Sequence, residues 1–292
     1  MSDRPTQRPS EVRSVRAADG VCLEYEVVGT GPPLVMLHGI LSGRASFSRQ
    51  RTEFADRFRL ILISARGHDG SDALLPANYG AASSGVDDLQ TILDAESLTR
   101  VSLFGHSGGG VTAFTFACRF PERVERVVLI EPTLFSILPL SERAPIEAAH
   151  ERIAFAAEAG GPEAGVRALM ASVGGETWAR LDAETQAKRV QALAASAPMV
   201  GPHARGLLDH RATEADICDF RGPILLFNGT NSAPFETAIA GRLRSLRPDF
   251  ESITVEGAGH NVHRDRPDIV NTATLAFLET GRLSGLHPGG GH

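Results

Sequence analysis

A doubly wound α/β sheet is the fold class this sequence predicts, and three observations point to it. Short apolar runs bounded by charge, Gly or Pro alternate with helical stretches along most of the chain. One region, residues 134–219, has no strand-like run and reads as three or four helices inserted between two sheet strands. Finally, Phe104-Gly105-His106-Ser107-Gly108-Gly109 sets Gly-x-Ser-x-Gly between an apolar run and a helical one. That is the pattern of a sharp strand-to-helix turn that lifts a serine above a sheet edge.

The elements follow in order. Residues 1–11 are polar, with no apolar signal core, so no export is expected. Residues 21–28 and 34–37 read as strands. Residues 60–63, 101–104, 127–130, 224–227 and 253–255 are short and continuously apolar, as strands buried on both faces of a parallel sheet should be. Helices are expected at about 45–58, 85–97, 109–119, 235–246 and 267–280. Between residues 134 and 219, Gly160-Gly161-Pro162, Gly174-Gly175 and Pro198 to Pro202 punctuate an Ala-, Glu- and Arg-rich segment. Its apolar residues (Ile153, Phe155, Leu169, Met170, Trp178, Leu193) need a surface to bury against, and the open face of the sheet is the expected one. The core is expected at 12–133 and 220–281, the helical cap at 134–219, and a disordered tail at 282–292.

Composition narrows the function classes. The 292 residues are 42% hydrophobic, enough for a large core, and the net charge of −6 gives no electrostatic case for nucleic acid. No apolar stretch reaches the ~18 residues of a membrane helix. Cys22, Cys118 and Cys218 are far apart and odd in number, so neither a disulfide framework nor a zinc site is indicated. Cys118 is expected in the core, and a reducing cytoplasm fits best.

A serine hydroxyl needs a base to take its proton as it attacks, and histidine is suited to the task. Of ten histidines, His260 lies in a Gly-rich loop (Glu256-Gly257-Ala258-Gly259-His260) directly after the last predicted strand. Loops at strand C-terminal ends converge on one site in such sheets, and the Ser107 turn lies there too. His263 is the weaker rival, read as a loop or pocket residue. The base needs an orienting acid. The loop after 224–227 (Asn228-Gly229-Thr230-Asn231-Ser232-Ala233-Pro234) carries no carboxylate, whereas the run 127–130 ends in Glu131-Pro132. Glu131 is therefore the nominated acid, with Asp88, Asp94 and Asp265 as rivals expected on helix surfaces or loop rims. An oxyanion needs preorganised donors. The N–H of Gly108, opening a helix, is one; the N–H of Ile40, in His38-Gly39-Ile40-Leu41, is the second. His38 reads as a hydrogen-bonding residue rather than a second base. His38, Leu41, His106, Phe135, Trp178 and Val262 are the expected pocket residues. The cap arginines alternate with acids and read as a solvated face, with one of them available to clamp a substrate carboxylate.

Taken together, the chain resembles the α/β-hydrolase superfamily over about residues 34–278. The resemblance rests on His38-Gly39, on Arg66-Gly67-His68-Asp69-Gly70-Ser71-Asp72, on the turn at Ser107 and on Gly257-Ala258-Gly259-His260. It implies a mostly parallel eight-stranded sheet with an inserted helical cap, and a nucleophile, acid, histidine order that Ser107, Glu131 and His260 fit. Most members carry an aspartate after the seventh strand, about where Ser232 stands. Some, including one group of haloalkane dehalogenases and certain cofactor-free dioxygenases, place the acid after the sixth, which Glu131 matches. Two departures stand out: Ser64 where the family often has aspartate, and an extra residue between Gly67 and Asp72.

The resemblance implies a serine hydrolase cleaving an ester, lactone or thioester of a small molecule, with no cofactor or metal. Carbon–carbon bond hydrolysis and cofactor-free oxygen chemistry use the same triad and remain alternatives. A ligand-binding receptor on the same fold is the alternative of another class. Dehalogenation and epoxide hydrolysis are disfavoured because they use an aspartate nucleophile. Neither nucleic acid nor membrane is an expected partner, and a homodimer is left open.

Overall fold

The structure, a computed structural model, describes residues 10–75, 79–80 and 83–283, with the backbone alone given at 175–177 and 218. One eight-stranded sheet has the order β1-β2-β4-β3-β5-β6-β7-β8. The strands are β1 (Ser10–Arg16), β2 (Cys22–Val28), β3 (Pro33–Leu37), β4 (Arg59–Ile63), β5 (Val101–His106), β6 (Val124–Ile130), β7 (Ile224–Gly229) and β8 (Glu251–Val255). β2 is antiparallel to both β1 and β4, and every other pairing is parallel.

Burial explains which strands the sequence announces. Every residue of β5 and β7 is buried, as are the last four of β3 and β4. Leu34 and Met36 face one core layer with Phe54, Val270 and Phe277, while Val35 and Leu37 face another with Leu89, Val111 and Leu243. Two covered faces demand apolar residues at successive positions, hence the continuous runs. β1 is the strand the sequence reading lacks. It is an edge strand whose burial never exceeds partial, and its Val12 is 55% exposed, so no apolar run marks it.

The helices are α1 (Ser48–Phe54), α2 (Ser84–Ala95), α3 (Gly108–Arg119), α4 (Leu140–Gly160), α5 (Pro162–Ala179), α6 (Ala183–Ala192), α7 (Val200–Leu208), α8 (Glu214–Asp219), α9 (Pro234–Leu246), α10 (Val262–Asp265) and α11 (Pro267–Thr280). The helix expected at 45–58 is shorter. A 3-10 turn over Arg44–Phe47 precedes α1, which stops at Phe54 because the chain must turn into β4. The expected disordered tail lies, from residue 284 on, outside the described residues; Leu283 packs on the core.

Helices α4 to α8 occupy the segment between β6 and β7. The segment divides its apolar residues: Phe135, Ile137, Ile146, Leu207 and Ile217 join the core layer on the sheet, whereas others form a cluster of their own. Ile153, Leu169, Trp178, Val190 and Val200 pack on one another, and Leu41 is the one fully buried residue from the sheet domain in that cluster. That sheet face is covered by α2, α3 and α9 together with Ile146 of α4, Leu207 of α7 and Ile217 of α8, and the outer parts of the inserted helices pack on one another. Phe155 joins no core and is 68% exposed. Cap ion pairs such as Arg205 with Glu158 and Lys188 with Glu184 sit on the solvated side.

The lengthened loop after β4 has a structural function. Asp69, at φ 48°, accepts hydrogen bonds from Ser64 Oγ at 2.8 Å and from the Arg44 amide at 3.0 Å. A carboxylate absent from position 64 is thus supplied from five residues further along.

Candidate active site

The sheet order places β3 between β4 and β5, so the chain leaves β3 in opposite directions on its two sides. The crevice above such a switch point is where α/β sheets gather ligands. The loop after β3 and the turn after β5 both open there.

Ser107 sits at φ 54°, ψ −121°, a conformation that a residue with a Cβ adopts only under constraint. Its amide donates to Ile130 O at 2.9 Å and its carbonyl accepts from the Val111 amide at 3.1 Å, which clamps the turn from both sides. The flanking glycines are needed for space. A Cβ on Gly105 would lie 2.6 Å from Gly109 O, and one on Gly109 would lie 2.2 Å from Leu37 O. Neither contact is tolerable, so the motif is fixed by close backbone approach.

Glu131 follows β6 directly, also at positive φ (43°), and is 2% exposed. Its Oε2 accepts a hydrogen bond of 2.8 Å from His260 Nδ1. Its Oε1 accepts from the Gly229 amide at 2.9 Å and from the Ser232 hydroxyl. Three donors converge on one carboxylate and stabilise its charge. Ser232, where the family's commoner aspartate would stand, holds the acid that comes from the neighbouring strand. Sequence reasoning noted Ser232 only as a missing carboxylate.

His260 reaches this position because the 255–260 loop is fastened at several points. Gly259 donates to Asp265 Oδ2 at 2.9 Å, the Gly257 amide to Thr230 Oγ1 at 2.9 Å, and His106 Nε2 meets the His260 carbonyl at 3.0 Å. Burial pushes the His260 pKa down, but Glu236, Glu131 and Asp265 outweigh it, and the net shift is upward. With Nδ1 donating to Glu131, the lone pair is on Nε2.

Ser107 and His260 line the same cavity of about 200 Å³. Ile40, Leu41, Thr133, His150, Leu169, Met170, Phe235 and Glu236 also border it. Ser107 Oγ lies 3.2 Å from Thr133 Oγ1, a hydroxyl pair that the sequence did not flag. The Ile40 loop adjoins the helix start: a Cβ on Gly108 would be 3.8 Å from Ile40 Cγ1. The cation bordering the cavity among the described residues is Arg264 of α10, not a cap arginine.

Several nominated residues lie elsewhere. Leu41 and His106 do line the cavity. His38 does not: its Nε2 accepts from the Ala65 amide at 3.1 Å, its Nδ1 meets Gly39 O at 2.8 Å, and it borders a separate small void behind the Ile40 loop. Phe135 is 1% exposed with its ring 5.0 Å from that of His150, so it backs the cavity wall rather than forming it. Trp178 is in the cap core, and Val262, at 0% exposure, in the core layer under α11. Among the rivals, His263 is sealed between the rings of Phe47 and His106. Asp88 is held by Arg66 at 2.6 and 2.8 Å, and Asp94 pairs with Arg123 at 2.8 Å. Asp265 fastens the histidine loop without reaching the ring's hydrogen-bonding nitrogens.

The buried imidazoles make a pH prediction. Burial depresses the pKa of His38, His203 and His263 to about 3 and of His210 to about 4. In the unfolded chain they would take up protons near pH 6.5. A depressed folded pKa gives stability that is complete above the unfolded value and lost as pH falls below it. The four imidazoles outnumber the groups of opposite sign, so the urea midpoint should fall steadily as pH drops from about 6.5 to 4. A midpoint unchanged down to pH 4.5 would contradict this.

Comparison with known proteins agrees with the fold. The family model for the α/β hydrolase fold matches residues 32–267. The chain belongs to that family and is an α/β-hydrolase enzyme. Among curated relatives, it is 28% identical to the sn-1-specific diacylglycerol lipase ABHD11 of Mus musculus, covering 85% of this chain and 81% of that one. It is 29% identical to the 2-(acetamidomethylene)succinate hydrolase of Mesorhizobium japonicum, covering 89% and 92%. Among solved structures, a thermophilic esterase of Thermogutta terrifontis in a malate-bound form superposes with a TM-score of 0.73 at 24% identity, over 92% of this chain and 98% of that one. At that identity the likeness concerns the fold. No helix among the described residues is long and apolar enough to cross a membrane.

Proposed function

We propose that this chain is a serine hydrolase that cleaves a carboxylic ester, lactone or thioester through an acyl-enzyme on Ser107. The observation carrying this reading is the 2.8 Å bond from His260 Nδ1 to Glu131, on a histidine that shares one cavity with a serine held in a strained turn. In the first half-reaction Ser107 Oγ attacks the acyl carbon while His260 Nε2 takes its proton. Glu131 holds the tautomer and stabilises the imidazolium. The N–H groups of Ile40 and Gly108 receive the oxyanion. As the tetrahedral intermediate collapses, the bond to the leaving group breaks and His260 returns the proton to it. Water then attacks the acyl-enzyme by the same steps in reverse, releasing the acid and Ser107. Thr133 Oγ1 gives the resting hydroxyl a partner before substrate arrives.

The cavity of about 200 Å³ restricts the acyl group. It is smaller than the ~300–1,000 Å³ typical of sites for drug-sized ligands. A cavity of this size favours a short acyl group. A series of p-nitrophenyl esters tests this. Acetyl and butyryl esters should exceed the lauroyl ester in kcat/KM by at least about 10-fold, the scale of discrimination that limited space for the acyl chain can give. A series that peaks at lauroyl would refute the short-acyl reading.

A further inference from the structure

The triad leaves one buried ionisable group without a role. Glu236, in the first turn of α9, is 2% exposed, and neither carboxyl oxygen has a hydrogen-bond partner. Its Oε1 lies 3.3 Å from His260 Nδ1, the same atom that donates to Glu131. One donor atom each from Glu131, Glu236 and His260 lie within 4.8 Å of one another. A buried carboxyl left without donors is costly if ionised, and more so beside a second carboxylate.

We propose that Glu236 is a positioning residue that shares a single proton with Glu131, so that His260 faces a carboxyl pair of one negative charge rather than a lone carboxylate. The proposal rests on the reading of His260 as the base. The three donors on Glu131 oxygens assign the charge to Glu131 and the proton to Glu236 in the resting enzyme. Burial, aided by the field of Glu131 and opposed by that of His260, raises the Glu236 pKa to about 8. Other charged groups near α9 are engaged elsewhere. On α8, Glu214 pairs with Arg242 and Asp216 caps its own helix, while Asp219 is exposed. On α9 and just after it, Arg244 reaches Asn228 and Arg247 pairs with Asp249. Asp265 holds the Gly259 amide, and His150 and Arg264 share the cavity wall. None of these acts appreciably on the Glu236 charge, which responds to His260 and Glu131.

The coupling is reciprocal. An imidazolium at position 260 favours loss of the Glu236 proton, and ionised Glu236 favours the imidazolium, so titrations near neutrality belong to the cluster. When Glu131 is neutralised, the field that keeps Glu236 protonated is gone, and Glu236 becomes the carboxylate of the pair.

The test uses the full chain and the variants Glu236→Gln, Glu131→Gln and the double substitution. Glutamine is isosteric with protonated Glu236, so the fold should survive, and circular dichroism checks this. Infrared titration of the resting protein should reveal a buried protonated carboxyl band that disappears as pH rises through about 8. The band should be missing from Glu236→Gln. In kcat/KM profiles the alkaline inflection should be lost in Glu236→Gln and moved to lower pH in Glu131→Gln. The double variant should lose roughly 10-fold more activity than the product of the single losses. No titrating carboxyl band, or identical profiles with multiplicative losses, would overturn the proposal. The infrared band does not depend on turnover, so failure of the hydrolase reading would leave it intact, and failure of the pair would leave ester hydrolysis intact.

Discussion

Ser107→Ala should lower kcat for an acetyl ester by a factor on the order of 10⁵–10⁶ while the protein stays folded. The loss is large because the oxygen that forms the acyl bond is gone, and no neighbour can replace it. Thr133 is the nearest hydroxyl, but its Oγ1 is the partner of Ser107 Oγ and not of His260. A residual rate above that of water is expected, since in the proposed mechanism the Ile40 and Gly108 amides would still stabilise an oxyanion formed by direct attack of water. The structural cost is small. Alanine inherits the positive φ of position 107, so the strain is unchanged, and one hydroxyl pair worth about 1 kcal/mol is lost. The thermal midpoint should stay within about 4 °C. A variant that keeps a tenth of the wild-type rate would place the nucleophile elsewhere.

Glu131→Gln should have the next largest effect, about 10²–10³ in kcat with little change in KM. The Gly229 amide and the Ser232 hydroxyl both donate to Oε1. They will orient the glutamine so that its carbonyl takes that place and its amide faces His260. An N–H directed at Nδ1 favours the tautomer whose proton is on Nε2, which cannot take the serine's proton. The acid-to-amide change in a serine protease costs about 10⁴ for this reason. A smaller loss is expected here because Glu236, 3.3 Å from Nδ1, competes to accept the Nδ1 proton. Steady-state kinetics at pH 7.5 measure it, and near-full activity would mean that the acid lies elsewhere.

What the sequence made legible follows burial and backbone demand. β3 to β7 were visible because both faces of each are covered. Ser107 was visible because only glycine fits at positions 105 and 109. Glu131 was found by its place at the end of a strand, which topology alone directs at the site. The remainder depends on rotation about an element's axis, which composition does not encode. Glu236 is in the first turn of a helix, where a glutamate reads as a surface charge, yet its side chain is buried. Thr133 and Ser232 are small polar residues whose weight comes only from their neighbours. Phe135, Trp178 and Val262 have the character of a pocket lining but lie in three different cores: Phe135 in one sheet layer, Val262 in the other, and Trp178 in the cluster of the inserted helices. β1 gave no signal because an edge strand needs so little apolar surface.

The arrangement also explains how an acid can move between strands within one family. The positions after β6 and β7 both reach His260 Nδ1 in this chain. One presents Glu131 directly, and the other presents Ser232 as its holder and Glu236 behind it. An acid at either position finds the same imidazole, so the requirement is a carboxylate at Nδ1 rather than a particular strand.

In the proposed mechanism Ser107 is a nucleophile activated by His260, and a fluorophosphonate reports that activation covalently. Intact-mass analysis should show one adduct per chain, peptide mapping should place it on Ser107, and His260→Ala should slow labelling by orders of magnitude. No adduct on the folded protein, or an adduct on another residue, would rule out Ser107 as the nucleophile.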